Sequence, residues 1–144
     1  MFISNETLNT YLHTIFTFAT QEQVHLSFFE SIIMVALLYF RDQQVDYAVI
    51  EVGLGGKYDA TNVFSSPLAT LITTISDDHR HLLGPSLTQI FRNRAGILKK
   101  SVPCFTRLDT PLMERASKVK KAPLYTTKKL VPTNLHGIHQ QQNA

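Results

Sequence analysis

A chain of 144 residues with 44% hydrophobic and 17% charged residues has the apolar material for a folded core, which excludes a disordered chain. A single cysteine, Cys104, excludes a disulfide framework and points to a reducing compartment, with the thiol expected as a small buried hydrophobe. The net charge of +3 conceals an asymmetry: from Arg92 onward eleven basic side chains stand against two acids, net +9, while the rest carries three basic side chains and nine acids, net −6.

Solvated helix faces are the favoured reading of the basic half over a polyanion site. Its aromatics are not interleaved with the cations, which argues against a nucleic-acid partner. The first residues, MFISNETLNTYLHTIF, lack the basic start of a signal peptide and the arginines of a transit peptide, so a cytoplasmic protein is expected.

Ser4 or Asn5 is positioned to cap a helix running to about Thr20, with Leu8, Leu12, Ile15, Phe16 and Ala19 as its apolar stripe. A second helix is expected over Ser27 to Arg41. Its run from Ile32 to Phe40 is too short to cross a bilayer, so no membrane partner is expected, and its apolar circumference predicts burial. The β-branched run Val45 to Val52 predicts a buried strand ended by glycines. A second strand is expected over Leu68 to Ile75, a loop at SDDH, and a helix over Pro85 to Arg94. A strand over Val102 to Thr106, a helix over Pro111 to Lys121 and a strand at APLYT complete the pattern, with an irregular tail from Lys128. Helices alternating with short apolar strands predict an α/β fold with a largely parallel sheet and flanking helices.

In such sheets the chemistry sits beyond the carboxyl ends of the strands. Glu51 lies at one predicted strand end, and Asp77, Asp78 and His79 lie beyond the next. If those strands are neighbours, Glu51 and His79 open onto one crevice. Two readings then stand level: a divalent-metal pair, or a salt-bridged carboxylate beside an ordinary loop histidine. Gly53, Gly55 and Gly56 permit a close backbone approach, but GLGG is neither the dinucleotide fingerprint nor a P-loop, and no GxxxxGK[ST] occurs in the sequence.

The successive segments EVGLGGKYDATNV, ISDDHRHLLG and RAGILKKSVP resemble motifs of the folylpolyglutamate synthase and dihydrofolate synthase family, relatives of the cell-wall Mur ligases. LSFFESIIMVALLYF ahead of them, and APLYT and GIHQQQNA after them, extend the resemblance from about Leu26 to Ala144. The resemblance implies part of a Mur-ligase-like central ATPase domain. It also implies an ATP-dependent ligase that activates a pteroate or folate carboxylate as an acyl phosphate and joins glutamate to it. It implies Mg²⁺ as cofactor, held by Glu51 and His79, and small-molecule partners: ATP, dihydropteroate or folate, and glutamate. By resemblance Asp59 falls where the family contacts the pteroate. Read from the residues alone, Asp59 is a turn residue bonding its own backbone, and Asn62 is favoured as another.

The departures carry expectations too. Arg94 stands at the position of the family's carbamylated lysine, and an arginine cannot form a carbamate. Leu83-Gly84-Pro85-Ser86 replaces Leu-Gly-Asp-Thr, and Ile138 replaces a glutamate. The family's P-loop segment lies upstream of these motifs and its smaller C-terminal domain downstream. The chain therefore reads as a partial domain over residues 1–144, expected to have little or no catalysis alone and to call for a complementary segment. The alternative is a non-catalytic folate- or partner-binding module derived from the ligase fold.

Overall fold

The computed structural model describes residues 2–127 and Asn134. The chain forms two compact units, Met1–Glu51 and Val52–Ala144. The GIHQQQNA segment and Ile138 lie outside the described residues.

The first unit is a pair of packed helices, α1 (Asn5–Gln21) and α2 (Phe28–Asp42). Ser4 caps α1 by accepting the Thr7 N–H at 3.1 Å. Ser27 opens α2 with a reciprocal capping box: its hydroxyl accepts the Glu30 N–H at 3.2 Å, and the Glu30 carboxylate accepts the Ser27 N–H at 2.7 Å. The Tyr11 hydroxyl donates to the Asp42 carboxylate at 2.7 Å, tying the start of one helix to the end of the other. The burial expected for α2 is not found. Only Ser31 and Val35 of this helix are buried, and Phe28 is 83% exposed.

The strand expected over Val45 to Val52 is also absent. The segment is irregular and Val49 is fully exposed. β-Branched residues suit an extended backbone, but a strand exists only when a neighbour pairs with its N–H and C=O groups. The described residues offer this segment no such neighbour.

The second unit is built on a parallel sheet of β1 (Thr70–Ile72), β2 (Cys104–Thr106) and β3 (Leu124–Thr126), in that order, with Thr70 opposite Cys104 and Cys104 opposite Leu124. The crossovers carry α3 (Arg80–Leu83), α4 (Leu87–Arg94) with a 3₁₀ turn at Ala95–Ile97, and α5 (Pro111–Lys120). Helix α4 starts later than expected: Ser86 caps it by accepting the Gln89 N–H, so Pro85 stands before the cap. Thr110 caps α5, with Pro111 at its first position.

The core lies on one face of the sheet. Ile72 and Cys104 meet Phe91 from α4, Ala95 from the 3₁₀ turn, Leu98, Met113 from α5 and Ala122. Thr106 locks β2 to β1: its buried hydroxyl donates to the Ile72 carbonyl at 2.6 Å and accepts the Leu108 N–H at 3.0 Å. The opposite face presents Leu71, Phe105 and Tyr125, each about half exposed or more, with the last two rings stacked 5.1 Å apart. Among the described residues no helix is long and apolar enough to cross a membrane.

Candidate functional site

Two of the sequence motifs dock on each other. Gly55 takes φ +71°, in the left-handed region, and a Cβ there would lie 2.5 Å from the Asn93 side-chain oxygen and 2.7 Å from Leu83. On the facing turn, a Cβ on Gly96 would fall 2.4 Å from the Lys57 Cβ and 2.5 Å from its Cα. The contact is held by polar bonds as well. The Lys57 N–H donates to the Asn93 carbonyl at 2.9 Å, and the Asn62 side-chain amide donates to the carbonyls of Lys57 at 3.2 Å and Gly96 at 3.4 Å. The glycine loop and the RAGIL turn are thus one body. Sequence reasoning flagged both but missed their contact and the part played by Asn93. The signal was a glycine in each, placed where a side chain would separate them.

Asp59 organises the same loop from inside. One carboxylate oxygen accepts the Leu54 N–H at 2.7 Å, and the other accepts the Thr61 N–H at 2.9 Å and hydroxyl at 2.6 Å. Burial is the largest single influence on this carboxyl and opposes its ionisation. Hydrogen bonds from the Thr61 hydroxyl and from the N–H groups of Leu54, Thr61 and Gly53 outweigh it, and the net shift is below the usual carboxylate range. Asp59 therefore holds its own backbone, and Asn62 reaches beyond its turn to the Gly96 carbonyl.

Arg94 closes α4 beside this body. Its carbonyl would lie 2.9 Å from a Cβ on Gly56, while its side-chain Nε is buried without a hydrogen-bond partner among the described residues. A buried charged donor without an acceptor is costly.

His79 precedes α3 with φ 54° and ψ 34°, a left-handed conformation uncommon outside glycine. Its N–H donates to an Asp78 carboxylate oxygen at 2.7 Å, and its Nε2 lies 3.5 Å from the other. The neighbouring Asp77 carboxylate is gripped through both oxygens by the Arg80 guanidinium, which holds it below the usual range. Glu51, the last residue of the first unit, is exposed. Among the described residues no three His, Cys, Asp or Glu side chains cluster to hold a metal ion. The structure thus brings Asp59 and Arg94 onto one body, while Glu51 and His79 belong to different units.

No family model matches the chain. It is similar to a putative folylpolyglutamate synthase of Dictyostelium discoideum, 34% identical over 82% of this chain and 22% of the relative. It is also similar to the mitochondrial folylpolyglutamate synthase of Bos taurus, 37% identical over 81% of this chain and 22% of the relative. Among solved structures, a folylpolyglutamate synthase from Thermotoga maritima superposes on 99% of the chain and 40% of its own length, with a TM-score of 0.81 at 29% identity. The Escherichia coli FolC complex with DHPP and ADP covers 86% of this chain and 30% of its own, with a TM-score of 0.77 at 28% identity. The chain spans 22% of the length of these curated relatives. Shared sequence and shared fold over most of its residues make the chain a member of the folylpolyglutamate synthase family.

Proposed function

We propose that this chain supplies part of the catalytic centre of an ATP-dependent ligase that joins glutamate to a pteroate or folate. The observation that carries the reading is the docked pair of motifs, the EVGLGGKYDATN loop on the RAGIL turn, in a chain that aligns with the synthases over most of its length. In the reaction, a substrate carboxylate takes the γ-phosphoryl group of ATP, releasing ADP and forming an acyl phosphate. The glutamate amine then attacks the acyl carbon, the amide bond forms and inorganic phosphate leaves.

By the family resemblance Glu51 and His79 are each assigned to Mg²⁺, a carboxylate being the kind of hard oxygen ligand that this ion takes. When bound it would neutralise charge on the transferring phosphoryl group. The Arg94 guanidinium, whose buried Nε has no acceptor among the described residues, is assigned to an oxygen of the phosphate. Asp59 is assigned to the substrate side through the loop it fixes, with Lys57 and Tyr58 presented beside it. A cytoplasmic or mitochondrial setting suits the reaction.

No P-loop sequence occurs in these 144 residues, so the phosphate cradle has to come from another segment. The test is ATP-dependent addition of labelled glutamate to dihydropteroate and to tetrahydrofolate. The chain is assayed alone and with a fragment of a full-length relative that carries the P-loop. Turnover restored by the fragment and abolished by Glu51→Gln or His79→Ala is the expected result. Turnover indifferent to both substitutions overturns the assignment. A second reading, a folate-binding module without catalysis, draws on the loop that Asp59 holds in place with Lys57 and Tyr58 beside it. That reading predicts calorimetric folate binding in the absence of ATP and no turnover with the fragment.

A further inference from the structure

The amino-terminal rim of the sheet lies opposite the end at which a parallel sheet places its chemistry. Two turns form it. Residues 98–103 lead into β2, and residues 117–123 end α5 and lead into β3. The backbone ties them together: the Ser101 N–H donates to the Lys121 carbonyl at 2.9 Å, and the Cys104 N–H donates to the Pro123 carbonyl at 2.8 Å. Within the turns, the Val102 N–H donates to the Lys99 carbonyl and the Lys121 N–H to the Lys118 carbonyl, both at 3.2 Å. These bonds gather Lys99, Lys100, Lys118, Lys120 and Lys121 on one rim. Lys99 is half-buried and the other four are exposed.

No carboxylate stands in either turn. Glu114 lies one turn before Lys118 on α5, yet among the described residues none of the five lysines is in an ion pair. Asp77, Asp78 and Asp109 instead follow the carboxyl ends of β1 and β2, so charge is segregated along the strand direction. Stability does not account for the cluster. A helix C-terminus favours cations, which suits Lys118 and Lys120 but not Lys99 and Lys100 in their turn. Lys121 is placed against local preference: it takes φ 54° and ψ 39° just past α5, the left-handed position that glycine fills without strain. Like charges gathered without a counter-charge also repel one another, a cost to the fold. A local rule broken in this way, with no compensating contact, points to a role outside the fold.

We propose that this rim is an electrostatic docking surface for an anionic lipid bilayer. Its cations are all lysines, compact point charges without the planar fork that reads a base or grips a phosphate through two bonds. Neither turn contains an aromatic ring on which a base could stack. Such a set suits lipid headgroups, which move laterally to meet the charges they find. Val119, 72% exposed between Lys118 and Lys120, adds an apolar side chain at the same surface. The contact is peripheral and spans nothing. It directs the carboxyl ends of β1, β2 and β3 away from the bilayer and leaves them open to dissolved ligands.

The test is co-sedimentation of the full chain with phosphatidylcholine vesicles, and with vesicles that carry about 30% phosphatidylserine, at about 0.05 M and about 0.5 M salt. Binding to the anionic vesicles alone, lost at the higher salt, is expected. Each lysine removed should weaken it about fivefold, so Lys99→Ala/Lys100→Ala should weaken it about 30-fold. Circular dichroism verifies that each variant folds. Lys121→Gly separates docking from stability. It should weaken binding about fivefold while the urea midpoint stays level or rises, because glycine relieves the left-handed strain. A lower midpoint with binding intact would show that Lys121 serves the fold, and overturns the proposal. No binding to anionic vesicles, equal binding to both kinds, or binding unmoved by either variant overturns it as well. A single-stranded RNA of about 20 nucleotides that binds more tightly than the anionic vesicles at equal salt overturns the lipid assignment in favour of nucleic acid.

Discussion

Replacing Asp59 by asparagine tests how the glycine loop is held. The native carboxylate accepts three hydrogen bonds, from the Leu54 N–H, the Thr61 N–H and the Thr61 hydroxyl, at 2.7, 2.9 and 2.6 Å. An asparagine of the same shape must turn its NH₂ toward one set of these donors, leaving a partly buried N–H without an acceptor. Bonds to a charged acceptor contribute about 1.5–3 kcal/mol each, and an orphaned donor costs about 1–3 kcal/mol. The expected loss of loop stability is about 2–3 kcal/mol, which is about 30- to 150-fold in the opening equilibrium. Amide hydrogen exchange of Leu54 and Thr61 reads this directly, with acceleration by that factor expected. The pH dependence follows the same carboxyl. Its folded-state pKa is depressed, so its stabilisation is fully present above the unfolded-state value near 4 and is lost as pH falls through the lower folded-state value. The wild-type loop should therefore loosen below about pH 4, while the Asp59→Asn loop should lack that component. Exchange at Leu54 and Thr61 unchanged by the substitution at neutral pH would refute the reasoning.

Three further outcomes are expected. Gly96→Ala forces a methyl group into the Lys57 backbone and should cost about 1–3 kcal/mol by urea denaturation, with Lys57 amide exchange accelerated; an unchanged midpoint would mean the two motifs are not in contact. Thr106→Val removes the hydroxyl between the Ile72 carbonyl and the Leu108 N–H and should cost about 1–3 kcal/mol in the same assay, a loss of under half a kcal/mol arguing against that bridge. Cys104 is fully buried, and burial pushes its thiol up, offset in part by a hydrogen bond from Thr70. A thiol reagent at pH 8 should label it about a hundredfold more slowly in the native chain than in urea, and equal rates would place the thiol at the surface.

Apart from the short α3, which was not expected, the helices and the three strands of the second unit were legible because each has a local cause that survives folding. Ser4, Ser27 and Thr110 are capping residues whose side chains do cap. The short β-branched and apolar runs at Thr70–Ile72 and Cys104–Thr106 alternate buried and exposed residues. The segment from Val45 to Val52 has an equally good local pattern and is not a strand. Strand formation depends on a partner, which no reading of the segment itself can supply. The apolar circumference of α2 misled for a related reason: it states what a helix could bury, not what lies next to it. At the site, the glycines were visible but their purpose was not. The contact between Gly96 and Lys57 is a fact of tertiary packing between motifs far apart in sequence.

That packing also decides how the loop meets a ligand. Asp59 looks like the chemically active residue of EVGLGGKYDATN, since it is the carboxylate that follows the glycines. Its oxygens are instead turned onto the N–H groups of Leu54 and Thr61, and Asn62 is turned onto carbonyls of the loop and the facing turn. What remains directed outward is Tyr58, 81% exposed, with the Lys57 ammonium over its ring. Lys57 is anchored at its backbone by Asn93 and packed at its Cβ against Gly96, so its side chain leaves a fixed point. A carboxylate directed inward thus makes a rigid platform for a cation and an aromatic ring directed outward. On the ligase reading proposed above, this is the division of labour a site needs to recognise an aromatic body and its anionic end with little ordering cost on binding.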